Sequence, residues 1–178
     1  MAYLNQHIKR SRWSGRMSAP ASFRSYNRSL RLLGNKDNEA FRLNAIAAEE
    51  GMHDAVLAMG WFYLNGVGVQ SSEDEAVRWY RKSARQGEAR AMFSLGYIGY
   101  VCKDFSDALV WFGRAVKKDH HRSNFWIGKM YWRGEGVMQD RKRAQEFFAQ
   151  AADKKVVEAQ RALRFLGFLA NDKRAQAE

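Results

Sequence analysis

The chain of 178 residues has one cysteine, Cys102, and one proline, Pro20. A single cysteine excludes an intrachain disulfide framework and any zinc site built from several thiolates. Scarce proline beside 6 Trp, 7 Tyr and 11 Phe is not the composition of a disordered chain. Apolar runs are too short to span a membrane, and residues 1–20 lack the apolar core of a secretory signal. We therefore expect a cytoplasmic protein of one domain or a short repeat array.

Acidic residues are absent from the first 36 positions, which hold eight Lys and Arg. Residues 37–178 hold 22 basic and 19 acidic residues, so most of the formal charge of +11 lies near the N-terminus. Such a segment suits nucleic acid, anionic lipid or an acidic protein surface. A solvated tail or an organelle transit peptide has the same composition. The candidate contacts are Lys9, Arg10, Arg12, Arg16, Arg24, Arg28 and Arg31.

Catalytic and metal-binding patterns are missing from the sequence. The histidines are His7, His53, His120 and His121. They show no metal-ligand spacing, and we expect the adjacent pair to be exposed in a turn. The Gly-x-Gly segments at 66–68 and 134–136 have neither a preceding strand nor a following Gly-Lys-Ser/Thr, so we interpret them as helix connections. With no paired carboxylates, we predict no enzyme, no metal and no cofactor.

An internal repeat runs through residues 37–165. A glycine or a turn-forming substitute recurs at intervals of 36, 32 and 36 residues, at Gly51, Gly87, Asp119 and Lys155. A small residue recurs four positions later, at Ala55, Ala91, Ser123 and Ala159. Alanine recurs upstream at Ala40, Ala76, Ala108 and Ala144. Apolar residues around these positions follow helical spacing, which predicts two helices in each repeat.

Caps and interior glycines locate the two helices. Ser72, Asp104 and Asp140 each lie four residues before the recurrent alanine and are N-cap residue types. Ser72 with Glu75 has the spacing of a capping box. The first helix of each repeat contains a glycine, at Gly60, Gly96 and Gly128. Glycine inside a helix costs about 1 kcal/mol relative to alanine, so its recurrence predicts close approach of a neighbouring helix.

The combined pattern Ala…Leu-Gly…Tyr…Gly-x-Gly-Val…Asp…Ala…Trp-Tyr…Ala-Ala…Gly…Ala resembles the Sel1-like repeat, a relative of the tetratricopeptide repeat. Residues 55–91 and 123–159 match it in register, whereas the middle repeat lacks the Gly-x-Gly-Val loop and needs a tighter turn near Cys102. The resemblance implies an all-α fold, an α/α solenoid of about three helix-turn-helix repeats. It implies no particular substrate.

The ends of the chain differ from the repeats. Residues 20–34 have an apolar stripe, with Phe23 and Tyr26 near its start, and we predict an N-terminal capping helix in preference to a membrane-surface helix. We assign residues 1–19 to a basic arm, 20–170 to the solenoid and 171–178 to a polar tail. The C-terminal capping helix fits two registers, with either Ala159 or Ala162 in the recurrent position.

In tetratricopeptide-like solenoids, exposed positions of the first helices line a groove. We expect Tyr63 and Tyr131 to pack inside, together with about half of the groove aromatics. The predicted groove residues are Leu57, Trp61, Leu64, Asn65, Arg90, Phe93, Tyr97, Tyr100, Arg122, Phe125, Lys129, Trp132 and Arg133. Trp, Tyr and Arg dominate protein-binding hot spots.

These features favour a non-enzymatic adaptor that binds an acidic or amphipathic segment of another protein. The alternative is nucleic-acid binding through the basic N-terminal segment, with interleaved aromatics such as Trp13 and Phe23. A regulatory subunit of an enzyme is a third, weaker hypothesis that fits the same features.

Overall fold

The computed structural model describes the backbone of residues 20–175 and the side chains up to Leu166, so residues 1–19 and 176–178 lie outside the described residues. Four candidate arm contacts, Lys9, Arg10, Arg12 and Arg16, fall there. In the described range every regular element is an α-helix, which confirms the predicted all-α class. The helices are α1 Ala21–Leu32, α2 Asp37–Glu49, α3 His53–Asn65, α4 Glu73–Arg85, α5 Ala89–Val101, α6 Phe105–Val116, α7 Arg122–Arg133, α8 Arg141–Asp153 and α9 Val157–Ala175.

The helices form two compact units, an N-terminal unit that ends at Glu88 and a C-terminal unit that begins at Ala89. In the N-terminal unit α1 packs mainly on α2 and α3 on α4; in the C-terminal unit α5 packs mainly on α6 and α7 on α8. The predicted capping helix α1 is therefore also the first helix of a pair, and α2 is its second helix. Helix α9 packs on α8.

Each of the three N-caps predicted from the sequence forms at the start of a second helix. Ser72, Asp104 and Asp140 accept hydrogen bonds from the backbone N–H three residues later, at 3.3, 3.2 and 2.9 Å. The capping box is only half formed. The Ser72 N–H donates to the Tyr63 carbonyl, and the Glu75 carboxylate instead accepts from Arg78.

Interior glycines let the second helix approach the first, as the sequence predicts. A Cβ atom on any of them would lie 2.5–2.8 Å from ring carbons of the second helix, far inside van der Waals contact. The pairs are Gly60 with Tyr80, Gly96 with Phe112 and Gly128 with Phe148. All three rings are buried. The interior glycine is therefore required by the ring that covers it.

The α1–α2 pair uses a polar contact at the corresponding place. Ser29 is fully buried, and its hydroxyl donates to the Ala40 carbonyl at 2.7 Å. The second helix carries Asn44 four residues after its recurrent alanine, where the other second helices carry the covering ring. Asn44 is also fully buried and donates to the Ala55 carbonyl of α3 at 3.0 Å.

The turns after the second helices share one backbone conformation. Gly51 and Gly87 have φ of +82° and +87°, and the substitutes Asp119 and Lys155 have φ of +60° and +62°. The sequence alignment of these positions is therefore confirmed. An L-residue pays a steric cost in this left-handed region that glycine avoids.

Loops after α3 and α7 pack on the start of the preceding second helix within the same unit. A Cβ on Gly68 would lie 2.1 Å from the Asp37 carbonyl oxygen, and one on Gly136 would lie 2.6 Å from the Phe105 Cβ. These loops connect helices, as the sequence predicts. The shorter middle turn places Lys103 at φ +63°.

At the N-terminal end, α1 buries Tyr26 and Leu30 and leaves its arginines exposed. The spacing of its apolar residues predicts this arrangement. Helix α9 continues to Ala175, so it extends into the segment that the sequence assigns to a polar tail. Ala159 is fully buried, as are Ala55, Ala91 and Ser123. This burial selects the register with Ala159 in the recurrent position.

Candidate protein-binding face

Aromatic side chains of α5 and α7 form one connected cluster in the C-terminal unit. The Phe93 and Tyr97 rings stack with centroids 6.4 Å apart. The Trp126 ring of α7 lies edge-on to both Tyr97 and Tyr100, at 5.2 and 5.0 Å. Tyr97 is 42% exposed, whereas the other three rings are half-buried. Tyr97 therefore opens the cluster to solvent.

The positively charged side chain of Lys129 lies over this cluster. Its Nζ atom is 4.4 Å from the centroid of Trp126 and 4.9 Å from that of Tyr100. Both rings contribute cation–π attraction at these distances. Burial lowers the pKa of the Lys129 amine, and the positive charge of Arg133 lowers it further. The charge of Lys129 is thus held by rings in partly dehydrated surroundings.

Glu135 connects the end of α5 to the end of α7. Its carboxylate accepts a hydrogen bond from the Tyr100 hydroxyl at 2.7 Å and pairs with Arg133 at 3.4 Å. Burial raises the pKa of the Tyr100 hydroxyl, and the bond to Glu135 raises it further. Tyr100 is therefore a neutral donor, and its ring is fixed beside Lys129.

The remaining predicted residues of this face lie at its edges or in the core. Arg122 forms an ion pair with Glu158 at the start of α9. Phe125 packs on Phe148, with centroids 5.7 Å apart. Trp132 is half-buried, with the Arg141 guanidinium 5.2 Å above its ring. Arg90 is half-buried.

The N-terminal unit presents the four other predicted groove residues on α3. Trp61 is half-buried against Phe62, with ring centroids 5.5 Å apart. Leu57 is half-buried, and Leu64 is 37% exposed. Asn65 is exposed and donates to the Trp61 carbonyl. These four positions carry no charge, unlike those of the C-terminal unit.

Tyr63 and Tyr131 are half-buried and pack on the cores of their units, Tyr63 against Phe41 and Tyr131 against Phe147. The expectation for His120 is wrong. Its ring is half-buried 4.6 Å from Phe93, and its Nδ1 lies 2.9 Å from a serine hydroxyl.

Sequence reasoning missed Trp126 and Glu135. Trp126 precedes the Ile-Gly pair of α7 and is not among the predicted groove residues. Glu135 follows the first loop glycine, and nothing in the repeat pattern indicates that it would reach Tyr100, 35 residues upstream.

The described part of the basic segment contributes exposed arginines on α1. Arg24, Arg28 and Arg31 are exposed. Arg28 pairs with Glu39 of α2 at 2.8 Å, so one of the candidate nucleic-acid contacts already has a carboxylate partner within the unit.

Among the described side chains, in residues 20–166, no three or more His, Cys, Asp or Glu residues form a cluster with the geometry of a metal site. In the same range, no helix combines the length and apolarity needed to cross a bilayer.

Comparison with known proteins identifies the repeat. The Sel1 repeat model matches residues 53–88, 89–120 and 121–156, more than half of the chain, and each match begins with a first helix. The chain belongs to the Sel1 repeat family. The α1–α2 pair precedes the matched repeats, whereas the sequence interpretation had begun the repeats at residue 37.

A solved structure of a Sel1 repeat protein from Oxalobacter formigenes is similar to 79% of this chain, with a TM-score of 0.71 and 29% identity. The fold is accordingly an all-α solenoid. A chitin synthase regulator of Malassezia restricta is 36% identical over 73 residues. A component of an ERAD-associated E3 ubiquitin-protein ligase of Arabidopsis thaliana is 26% identical over 122 residues.

This chain spans only part of each of these proteins. The matched segments cover 40% and 65% of this chain but 5% of the fungal regulator and 19% of the plant ligase component. The similarity to the bacterial structure covers 59% of that chain.

Proposed function

We propose that the protein is a non-catalytic adaptor that binds a segment of another protein on the α5–α7 face of its C-terminal unit. The observation that carries this proposal is the exposed ring of Tyr97 beside the cation–π pair of Lys129 and Trp126. Tyr and Trp are enriched in protein-binding hot spots. The names of the fungal and plant relatives, a regulator and a ligase component, support a role in assemblies.

The predicted partner is an acidic or amphipathic protein segment. Residues 89–178 hold 17 Lys and Arg against 10 Asp and Glu, so a partner with carboxylates would be attracted to this unit. The cytoplasmic location expected from the sequence is part of the same proposal.

Site-specific photo-crosslinking tests the proposal. A photoreactive phenylalanine analogue replaces Tyr97 on the face, or Val110 on α6, which is 51% exposed and serves as the matched control. In the native cells we expect a discrete protein adduct from position 97 that nuclease treatment leaves intact, and none from position 110. No protein adduct at position 97, or the same adducts at both positions, would contradict the proposal.

The nucleic-acid alternative gives a different result in the same experiment. Material that co-purifies non-covalently with the protein would disappear on nuclease treatment and at high salt, because phosphate contacts weaken steeply with ionic strength. That outcome, together with no protein adduct at position 97, would favour the nucleic-acid alternative and contradict the adaptor proposal.

A further inference from the structure

Helix α9 occupies the place of a first helix beside α7. The residues immediately before the recurrent Ser123 and Ala159 are Arg122 and Glu158, and these two form an ion pair. Ala162 of α9 packs in the same apolar cluster as Trp132 of α7. These contacts place α9 alongside α7 with the same offset of 36 residues that relates other repeats.

The last repeat position differs in one residue from the helices before it. Arg164 of α9 corresponds to the interior glycines Gly96 and Gly128, and its side chain is exposed. No ring of a further second helix covers this position within the described residues.

The register of α9 extends the binding face by one helix. Tyr97, Lys129 and Phe165 each lie six residues after the recurrent small residue of their helix. Tyr97 is 42% exposed and Phe165 is 60% exposed. We call these three residues the stripe. It presents an apolar side chain, a cation and an apolar side chain on α5, α7 and α9 in that order.

The cation of the stripe has no carboxylate in direct contact among the described side chains. The Glu135 carboxylate is engaged by Tyr100 and Arg133, and Glu158 is engaged by Arg122. Among the described side chains, up to Leu166, Lys129 contacts two rings and lies within ion-pair distance of no carboxylate. Glu135 acts on it from a longer distance and raises the pKa of its amine. A ligand carboxylate in direct contact with this half-buried amine would therefore add a charge-assisted hydrogen bond.

The distance between helices sets the spacing of a ligand that crosses them. Packed helix axes lie about 8–10 Å apart, and an extended chain advances about 3.3 Å per residue. About three residues therefore separate neighbouring contacts. An extended segment that crosses α5, α7 and α9 would meet Tyr97, Lys129 and Phe165 in turn.

We propose that the stripe binds an extended protein segment with an Asp or Glu on Lys129 and a large apolar side chain about three residues to either side. This inference rests on the proposed adaptor function and specifies the chemistry of its ligand. The charge of the central residue determines specificity, and the two flanking side chains cover Tyr97 and Phe165.

Synthetic peptides test the stripe with the full chain. The probes are fluorescein-labelled peptides with the core Leu-Ser-Ser-Glu-Ser-Ser-Leu and matched peptides with Gln or Lys in place of Glu. We expect fluorescence anisotropy to give about tenfold tighter binding for the Glu peptide than for the Gln peptide, and weaker binding still for the Lys peptide. Equal binding of the Glu and Gln peptides would overturn the inference.

Protein variants locate the contact and control for misfolding. Lys129→Glu is expected to reverse the preference, so that the Lys peptide binds best, and a gain of binding cannot come from unfolding. Phe165→Ala is expected to weaken the Glu peptide about tenfold. Val157→Ala, also on α9 and 52% exposed, should leave binding unchanged. Unreversed preference in Lys129→Glu, or equal losses in Phe165→Ala and Val157→Ala, would also overturn the inference.

Failure of the inference and failure of the adaptor proposal give different results. A protein adduct at position 97 without any preference for the Glu peptide would reject the stripe and keep the adaptor. Absence of that adduct would reject both. Sedimentation velocity tests whether a second copy of the chain covers the face instead. Concentration-dependent dimers that Phe165→Ala abolishes would show that it does and would overturn the inference.

Discussion

The two units use the same helix pair but fill its recurrent positions with different chemistry. In the N-terminal unit, the first pair is joined by the buried hydroxyl of Ser29, and the buried amide of Asn44 bonds onward to α3. In the C-terminal unit, both pairs place a ring on glycine, as Phe112 does on Gly96. The repeat therefore preserves the close approach of two helices, and either a ring or a polar contact can fill the gap.

The turns and the faces of the first helices also differ between the units. The left-handed turn positions are Gly51 and Gly87 in the N-terminal unit but Asp119 and Lys155 in the C-terminal unit. The predicted groove residues are uncharged in the N-terminal unit, whereas those of the C-terminal unit include three arginines and Lys129. Close helix packing is thus shared by both units, while charge among the predicted groove residues is confined to the C-terminal unit.

Removing a covering ring should have the largest effect on this packing. Phe112 is fully buried, and Phe112→Ala is expected to lower the free energy of unfolding by about 3–5 kcal/mol because it leaves a cavity. Urea denaturation monitored by circular dichroism measures the change. Val110→Ala on the same helix, at a half-exposed site, should change it by no more than about 0.5 kcal/mol. A loss below about 1 kcal/mol in Phe112→Ala would show that the ring is not essential to the pair.

Adding a methyl group should have opposite effects at two helical glycines. A Cβ on Gly128 would lie 2.8 Å from the Phe148 ring and 3.1 Å from the Ala144 carbonyl oxygen, and such overpacking costs about 1–3 kcal/mol. A gain of about 1 kcal/mol in helix propensity offsets part of this cost. We expect Gly128→Ala to destabilise by about 1–2 kcal/mol.

Gly113 on α6 has open space around its Cβ position. Gly113→Ala should therefore stabilise the protein by up to about 1 kcal/mol through helix propensity alone. Thermal and urea denaturation of both variants give the comparison. Stabilisation by both substitutions would mean that close approach does not explain the repeated glycine.

Removing or adding an N-cap side chain should have an intermediate effect on the free energy of unfolding. Asp140 accepts from the Arg143 N–H at 2.9 Å, and Asp140→Ala should cost about 1 kcal/mol of unfolding free energy. The start of α2 has Lys36 in the cap position, without a side-chain cap bond. Lys36→Ser should add about 0.5 kcal/mol by supplying the missing acceptor. Equal unfolding midpoints for both variants and the wild type would contradict the importance of these caps.

Substitutions at the turn positions should change stability by as little as those at the caps. Lys155→Gly removes the steric cost of φ +62° but adds freedom to the unfolded chain, so we expect a net gain of about 0.5 kcal/mol. Gly87→Ala at φ +87° should cost about 1 kcal/mol. Unfolding midpoints in urea measure both changes. A loss of stability in Lys155→Gly would show that the lysine side chain contributes more than its backbone strain costs.

Local and periodic features of this chain were predictable from sequence. The repeated glycines, the N-caps and the left-handed turns depend on a few neighbouring residues, and the structure confirms each type. The capping box was only half right because the Ser72 N–H reaches Tyr63 across the loop. The exposure predicted for His120 was wrong because its ring packs on Phe93, a contact between residues 27 positions apart.

Sequence alone determined the helix pairs, their caps and the spacing of their close approaches, because these follow from steric and hydrogen-bonding preferences repeated along the chain. Tertiary structure decided the register of α9, the location of Trp126 beside Tyr97, and the bond from Glu135 to Tyr100. Each of these depends on side chains brought together from different helices, where contact geometry and competition for the same partner select one arrangement.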